Sequence, residues 1–112
     1  MYDFEKLKEE IVKRLQPLKP EKIVLFGSYA RNEEKEGSDI DLYIVTKDEY
    51  VPRTWREKMD IKLKFSRALR DIKRHYDIDL IAHTKAMHRS FMQNDSLFAK
   101  EIRREGKVIY SA

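Results

Sequence analysis

The sequence predicts an α/β (α+β) domain, a small mixed β-sheet flanked by helices. Three observations lead there. Two runs, Asp39-Ile40-Asp41-Leu42-Tyr43-Ile44-Val45 and Asp77-Ile78-Asp79-Leu80-Ile81-Ala82, alternate acid or polar with aliphatic residues at the period of a strand. A third, Lys22-Ile23-Val24-Leu25-Phe26, is short, apolar and β-branched, and Gly27 stops it. Around these lie stretches whose apolar residues recur at three and four, the spacing of an amphipathic helix.

Taken in order, Phe4, Leu7, Ile11, Leu15 and Leu18 mark the first helix, which Pro17 and Pro20 end. The strand at residues 22–26 follows, then a Gly-Ser turn opening toward a helix start. Ile40, Leu42 and Ile44 form the core face of the next strand, and Asp39, Asp41, Tyr43 and Val45 the opposite face. Tyr50-Val51-Pro52 is a connector. A long helix is expected over about residues 53–74, with Trp55, Met59 and Leu63 as one stripe and Ile61, Phe65, Ala68 and Ile72 as another, so that it buries a wide face with Trp55 as a core anchor. The strand with Asp79 comes next. A further helical region begins near Lys85 and breaks at Asn94-Asp95-Ser96, any of which can cap a new helix. That last helix, with Leu97, Phe98 and Ile102, stops at Gly106, and Val108-Ile109-Tyr110 reads as an edge strand.

Length and composition agree. The 112 residues suit one domain with one modest core, residues 1–112. There is no cysteine, hence no disulfide and no thiolate metal site. The charged start Met1-Tyr2-Asp3-Phe4-Glu5-Lys6 is unlike a signal peptide, and no apolar run approaches membrane-spanning length, so a cytoplasmic location without a membrane partner is expected. Charged residues make up 39% of the chain, a composition of the kind met in heat-adapted proteins.

The chemistry concentrates where Gly27-Ser28-Tyr29-Ala30-Arg31 precedes Asp39-Ile40-Asp41-Leu42. Alternate residues of a strand share a face, so Asp39 and Asp41 point the same way, roughly 7 Å apart at the backbone. Two parallel carboxylates beside a Gly-Ser turn, whose backbone N–H groups can meet an anion, suit a divalent cation holding a polyphosphate. The second alternating strand would deliver a further acid to the same site. Asp79 is a candidate for it, and so is Asp77, which can also simply cap its strand.

The segment "GSYARNEEKEGSDIDLYIV", with "IDLIA" downstream, resembles the motif of the polymerase-β nucleotidyltransferase superfamily: Gly-Ser, Ala-Arg, Ser-Asp-x-Asp-Leu, then one more Asp on a later strand. The close, "AKEIRREGKVIYSA", is also similar to the ending of the family's minimal members, which consist of the catalytic domain alone. Asn32 stands where the family usually has Gly, and Asn tolerates positive φ better than most residues. The resemblance implies the polymerase-β-like nucleotidyltransferase fold and an enzyme that moves a nucleoside monophosphate, AMP from ATP, to a hydroxyl. It implies two Mg²⁺ ions (or Mn²⁺) on Asp39, Asp41 and Asp79, with Gly27 and Ser28 at the nucleotide phosphates and Arg31 as a further candidate contact. Minimal members are commonly encoded beside a small helical HEPN protein, a toxin whose antitoxin they are, which makes such a protein the expected acceptor. A small molecule such as an aminoglycoside, a nucleic acid end, and an antitoxin acting by binding alone stay open as alternatives, as does oligomerisation.

Other features have plainer readings. The acids between Asn32 and Gly37 are expected on a solvated loop. His75, His83 and His88 lack zinc-ligand spacing and are expected at the surface or at helix ends. The cluster Lys62, Lys64, Arg67, Arg70, Lys73 and Arg74 is the wet face of a helix or a dock for an acidic partner.

Overall fold

A computed structural model describes residues 4–35 and 37–112. The elements are helix α1 (Phe4–Leu15), strands β1 (Lys22–Phe26) and β2 (Ile40–Val45), helices α2 (Trp55–Ala68) and α3 (Arg70–Lys73), strand β3 (Ile78–His83), helices α4 (Lys85–Met92) and α5 (Leu97–Glu105), and strand β4 (Lys107–Ser111). One four-stranded sheet has the order β3-β2-β1-β4. β1 pairs antiparallel with β2 and β4, whereas β2 and β3 run parallel, as a helical crossover between them permits. The expected small mixed sheet with flanking helices, and the edge strand near the end, are both present.

The sheet is covered on both faces. On one, Ile23, Leu25, Ile40, Leu42, Ile44 and Leu80 pack with Leu7, Ile11 and Leu15 of α1 and with Ile61 and Phe65 of α2. On the other, Val24, Phe26, Tyr43 and Val45 pack with Ile102 of α5, and Phe91, Met92 and Phe98 close over them. The two alternating faces of β2 therefore both become core, except at its acidic beginning.

Local chemistry sets the element ends. α1 gives way at Leu15 to a tight turn containing Pro17, and Lys19 takes a left-handed conformation. Thr54 caps α2 by accepting from the Glu57 N–H at 3.1 Å, while the Glu57 side chain accepts from the Arg53 N–H at 2.9 Å. Thr84 caps α4 and Ser96 caps α5 in the same way. Of the three candidates for the last cap, Ser96 serves, and Asn94 braces it by accepting from the Ser96 N–H. Gly106 ends α5 where a Cβ would crowd the Ile102 carbonyl at 2.5 Å and Val24 at 2.7 Å.

Two expectations fail around α2. The helix breaks at Leu69 rather than running on to residue 74, and a short α3 follows. Trp55 is not a core anchor: it is 75% exposed. At roughly 100° per residue the stripe of Trp55, Met59 and Leu63 points nearly opposite to that of Ile61, Phe65, Ala68 and Ile72. A helix lying on one sheet face buries one side, and the second stripe takes it: Ile61, Phe65 and Ile72 are buried.

Candidate active site

The acids gather at one end of the sheet, where β1 finishes and the parallel strands β2 and β3 begin. In the β2–β3 register Asp41 lies opposite Asp79, and in the β1–β2 register Asp41 lies opposite Phe26. Asp41 and Asp79 are thus neighbours on the same face of adjacent strands. Asp39 stands just before β2, two residues ahead of Asp41 and of the same parity. Asp77 precedes β3, and its carbonyl accepts from the Ile40 N–H at 2.8 Å, so its backbone begins the ladder that sets the two strands in register.

Gly27 ends β1 against this pair. It has φ of +74°, and a Cβ there would overlap the Asp41 carboxylate. Only glycine lets the turn come this close to the acid. Residues Gly27–Tyr29 form a single 3₁₀ turn rather than the start of a longer helix. The backbone continues through N–H bonds from Arg31 and Glu33 to the Ser28 carbonyl, at 3.2 and 2.9 Å. Asn32 follows at φ of +57°, the left-handed conformation expected where the family has Gly.

Arg31 faces acids. Its guanidinium lies 3.5 Å from Glu101 and 3.3 Å from Glu105, one turn apart on α5, and 3.5 Å from Glu33. Glu105 and Glu33 hold its pKa up, with the Glu105 hydrogen bond the largest cause. The α5 carboxylates were not legible in the sequence. Their i, i+4 spacing marks a shared helix face, but nothing local says that this face meets Arg31.

The electrostatics are unbalanced. Burial is the largest cause raising the Asp41 carboxyl to about 6; the charges of Asp79, Asp39 and Glu101 raise it further, and Arg31 offsets part of this. A carboxylate crowded by like charges gains from a cation. The donors are oxygen-only, which suits a hard ion such as Mg²⁺ rather than a soft one. Among the described residues no three His, Cys, Asp or Glu side chains draw together into a ready-made ligand cage. Mg²⁺ does not require one, since it takes one or two carboxylates and completes its shell with water and phosphate.

The other end of the same face holds a polar cluster that sequence reasoning missed. The fully buried Tyr43 hydroxyl lies 3.0 Å from His83 Nδ1 and 2.8 Å from His88 Nδ1. His83 and His88 are therefore partly buried partners of a core tyrosine, not surface residues. A hydroxyl donates once and can also accept, so at least one of the two imidazoles donates from Nδ1. Burial lowers both histidine pKa values and raises that of Tyr43.

No helix among the described residues is long and apolar enough to cross a membrane. No curated protein matches the chain significantly. Solved structures do. A toxin–antitoxin structure with AMP-PNP is 21% identical, with a TM-score of 0.58 over 94% of this chain and 73% of that one. A mutant of the toxin–antitoxin MntA-HpeT is 20% identical, with a TM-score of 0.55 over the same shares, 94% and 73%. A Sulfolobus solfataricus protein proposed to be a nucleotidyltransferase is 19% identical, with a TM-score of 0.57 over 96% of this chain and 78% of its own. These likenesses establish the fold. The family model described as Polymerase beta, Nucleotidyltransferase matches residues 5–112, nearly the whole chain. The chain therefore belongs to the polymerase beta nucleotidyltransferase family and is a nucleotidyltransferase.

Proposed function

We propose that residues 1–112 act as one catalytic domain that transfers AMP from ATP to a hydroxyl of a small helical HEPN-type protein, in the role of an antitoxin. The observation that carries the reading is the register placing Asp79 beside Asp41, with Gly27 backed against the Asp41 carboxylate. Support for the partner comes from the solved toxin–antitoxin structures that share this fold, one of them holding AMP-PNP.

In the reaction the acceptor oxygen attacks the α-phosphorus of ATP. The bond from that phosphorus to the bridging oxygen breaks, pyrophosphate leaves, and the acceptor carries AMP through a new P–O bond. Asp39, Asp41 and Asp79 would hold Mg²⁺, which when bound supplies Lewis-acid neutralisation of the phosphate charge. Asp79 also takes the proton of the acceptor hydroxyl as general base. Gly27 lets the backbone approach the nucleotide, and Ser28 donates its hydroxyl to the β- or γ-phosphate. Arg31, paired with Glu101 and Glu105, would exchange a carboxylate partner for a phosphate.

The test is intact-mass spectrometry of a candidate HEPN-type partner protein, after incubation with ATP and Mg²⁺. The expected result is a gain of one or more AMP units, absent with Asp39→Asn. A tight complex with no gain in mass would instead assign the protein an antitoxin role by contact alone.

A further inference from the structure

At the end of the sheet where the acids gather lies a cavity of about 600 Å³, its lining without Asp39, Asp41 or Asp79. Ser38 and Asp77 line it, each next to or two residues from a proposed catalytic acid, Asp39 and Asp79 respectively. So do His75 and the cations Lys35, Lys73 and Arg74, which bring positive charge to its wall. Lys35, Lys73 and Arg74 form no ion pair among the described residues. Lys73 bonds only the neutral Ser66 hydroxyl, and Asp71, whose carboxylate also feels the charge of Arg74, is bonded by Arg14 at 2.8 Å. Arg67 and Arg70 on α2 and α3 are exposed and precede Lys73 and Arg74 in the chain.

A second observation concerns Glu34, which also lines the cavity. Its Oε2 is shielded from solvent and has no hydrogen-bond partner among the described residues. A carboxylate oxygen can only accept, so whatever completes it must donate. The occupant therefore needs an N–H or O–H donor together with negative charge. RNA can also donate, from its 2′-hydroxyls and base amines, so the choice of occupant follows the protein-modifying reading above. A peptide brings donors and carboxylates side by side.

We propose that this cavity is the acceptor subsite, taking a hydroxyl-bearing segment of protein flanked by carboxylate side chains, with Lys35, Lys73 and Arg74 on the carboxylates and Glu34 accepting from the segment. The proposal rests on the protein-modifying reading above and names what that site selects. Lys35 and Arg74 are specificity residues, reached by the acceptor and remote from the chemistry at phosphorus.

The test is fluorescence anisotropy at low salt with three labelled probes: a peptide Glu-Glu-Tyr-Glu-Glu, its counterpart Lys-Lys-Tyr-Lys-Lys, and an RNA of five adenylates. The intact chain should bind the acidic peptide best. The double variant Lys35→Glu/Arg74→Glu, checked for an unchanged melting temperature, should lose at least ~10-fold in that affinity and favour the lysine peptide. Tighter binding of the RNA, lost in the same variant, would overturn the peptide in favour of nucleic acid. Binding of no probe up to about 1 mM, or an acidic-peptide affinity untouched by the double variant, would overturn the subsite itself. AMP transfer is scored separately with labelled ATP. Selective peptide binding without transfer counts against the transferase reading alone. Transfer to both peptides equally counts against this proposal alone.

Discussion

The two ends of one strand face make opposite use of polar side chains. Asp41 and Tyr43 sit two residues apart on β2 and point to the same side of the sheet. At the Tyr43 end the buried hydroxyl is matched: it hydrogen-bonds the Nδ1 atoms of two imidazoles beside the rings of Phe91 and Phe98. At the Asp41 end like charges stand together without enough cation to balance them. Satisfied polar groups hold a fold together, and unsatisfied ones wait for a ligand. The two ends also titrate in opposite senses. Asp41 has a folded pKa of about 6 against an ordinary 3.8, so its ionised form costs stability above that range, and the cost disappears as pH falls through 6 toward 4. His83 and His88 have folded pKa values below the ordinary 6.5, so their contribution is intact above 6.5 and is lost as pH falls beneath it.

Breaking the acidic end should have the largest effect. Asp39→Asn, Asp41→Asn and Asp79→Ala should each lower AMP transfer at least ~100-fold in single-turnover assays, because Lewis-acid stabilisation is worth several kcal/mol. Asp77→Ala should be mild, since its structural part is played by a carbonyl that the substitution keeps. Loss of turnover in Asp77→Ala, with Asp79→Ala active, would overturn the assignment of the third acid.

Gly27→Ala attacks the same end through the backbone. The new Cβ needs the space of the Asp41 carboxylate and must adopt positive φ, so denaturant unfolding should show a loss of about 2 kcal/mol or more, alongside impaired transfer. An unchanged midpoint would mean that the turn relaxes away from Asp41.

Tyr43→Phe tests the satisfied end. It leaves two part-buried imidazoles without their shared partner and should cost about 1–3 kcal/mol in denaturant unfolding. Because the cluster is structural, Mg²⁺–ATP affinity by calorimetry should not change, and a large drop there would show that the two ends are coupled.

The smallest effect sharpens the comparison most. In metal-free buffer at pH 7.5, Asp41→Asn should raise stability by about 1 kcal/mol once solvent screening of a partly exposed group is allowed for. The gain should fade as pH falls from 6 to 4, where the native carboxyl takes up its proton, and thermal melts across that range would follow it. A gain that instead grew toward low pH would reverse the sign assigned to Asp41.

Much of this was legible in the chain because the signals were local. Alternation in the two acid-bearing runs identified β2 and β3. Pro17 stopped α1, Gly106 stopped α5, and Asn32 adopted the positive φ that its short side chain tolerates. Where the sequence offered equal candidates, as at Asn94-Asp95-Ser96, geometry chose between them. The acids Asp39 and Asp41 stood out because a strand's period of two puts them on one face whatever else packs nearby.

What the tertiary structure decided were relations between distant segments. The register of β2 and β3 set Asp79 level with Asp41 and gave the Asp77 carbonyl to the Ile40 N–H. Arg31 met Glu101 and Glu105 because α5 packs back toward β1, some seventy residues on in the chain. Trp55 was left outside because only one of two plausible apolar stripes could face the sheet, and His83 and His88 converged on Tyr43 through the packing of α4. Local rules bound the dihedrals and periodicity of a segment by itself; which face meets which neighbour depends on how all the segments share a limited core, and no short stretch of sequence contains that.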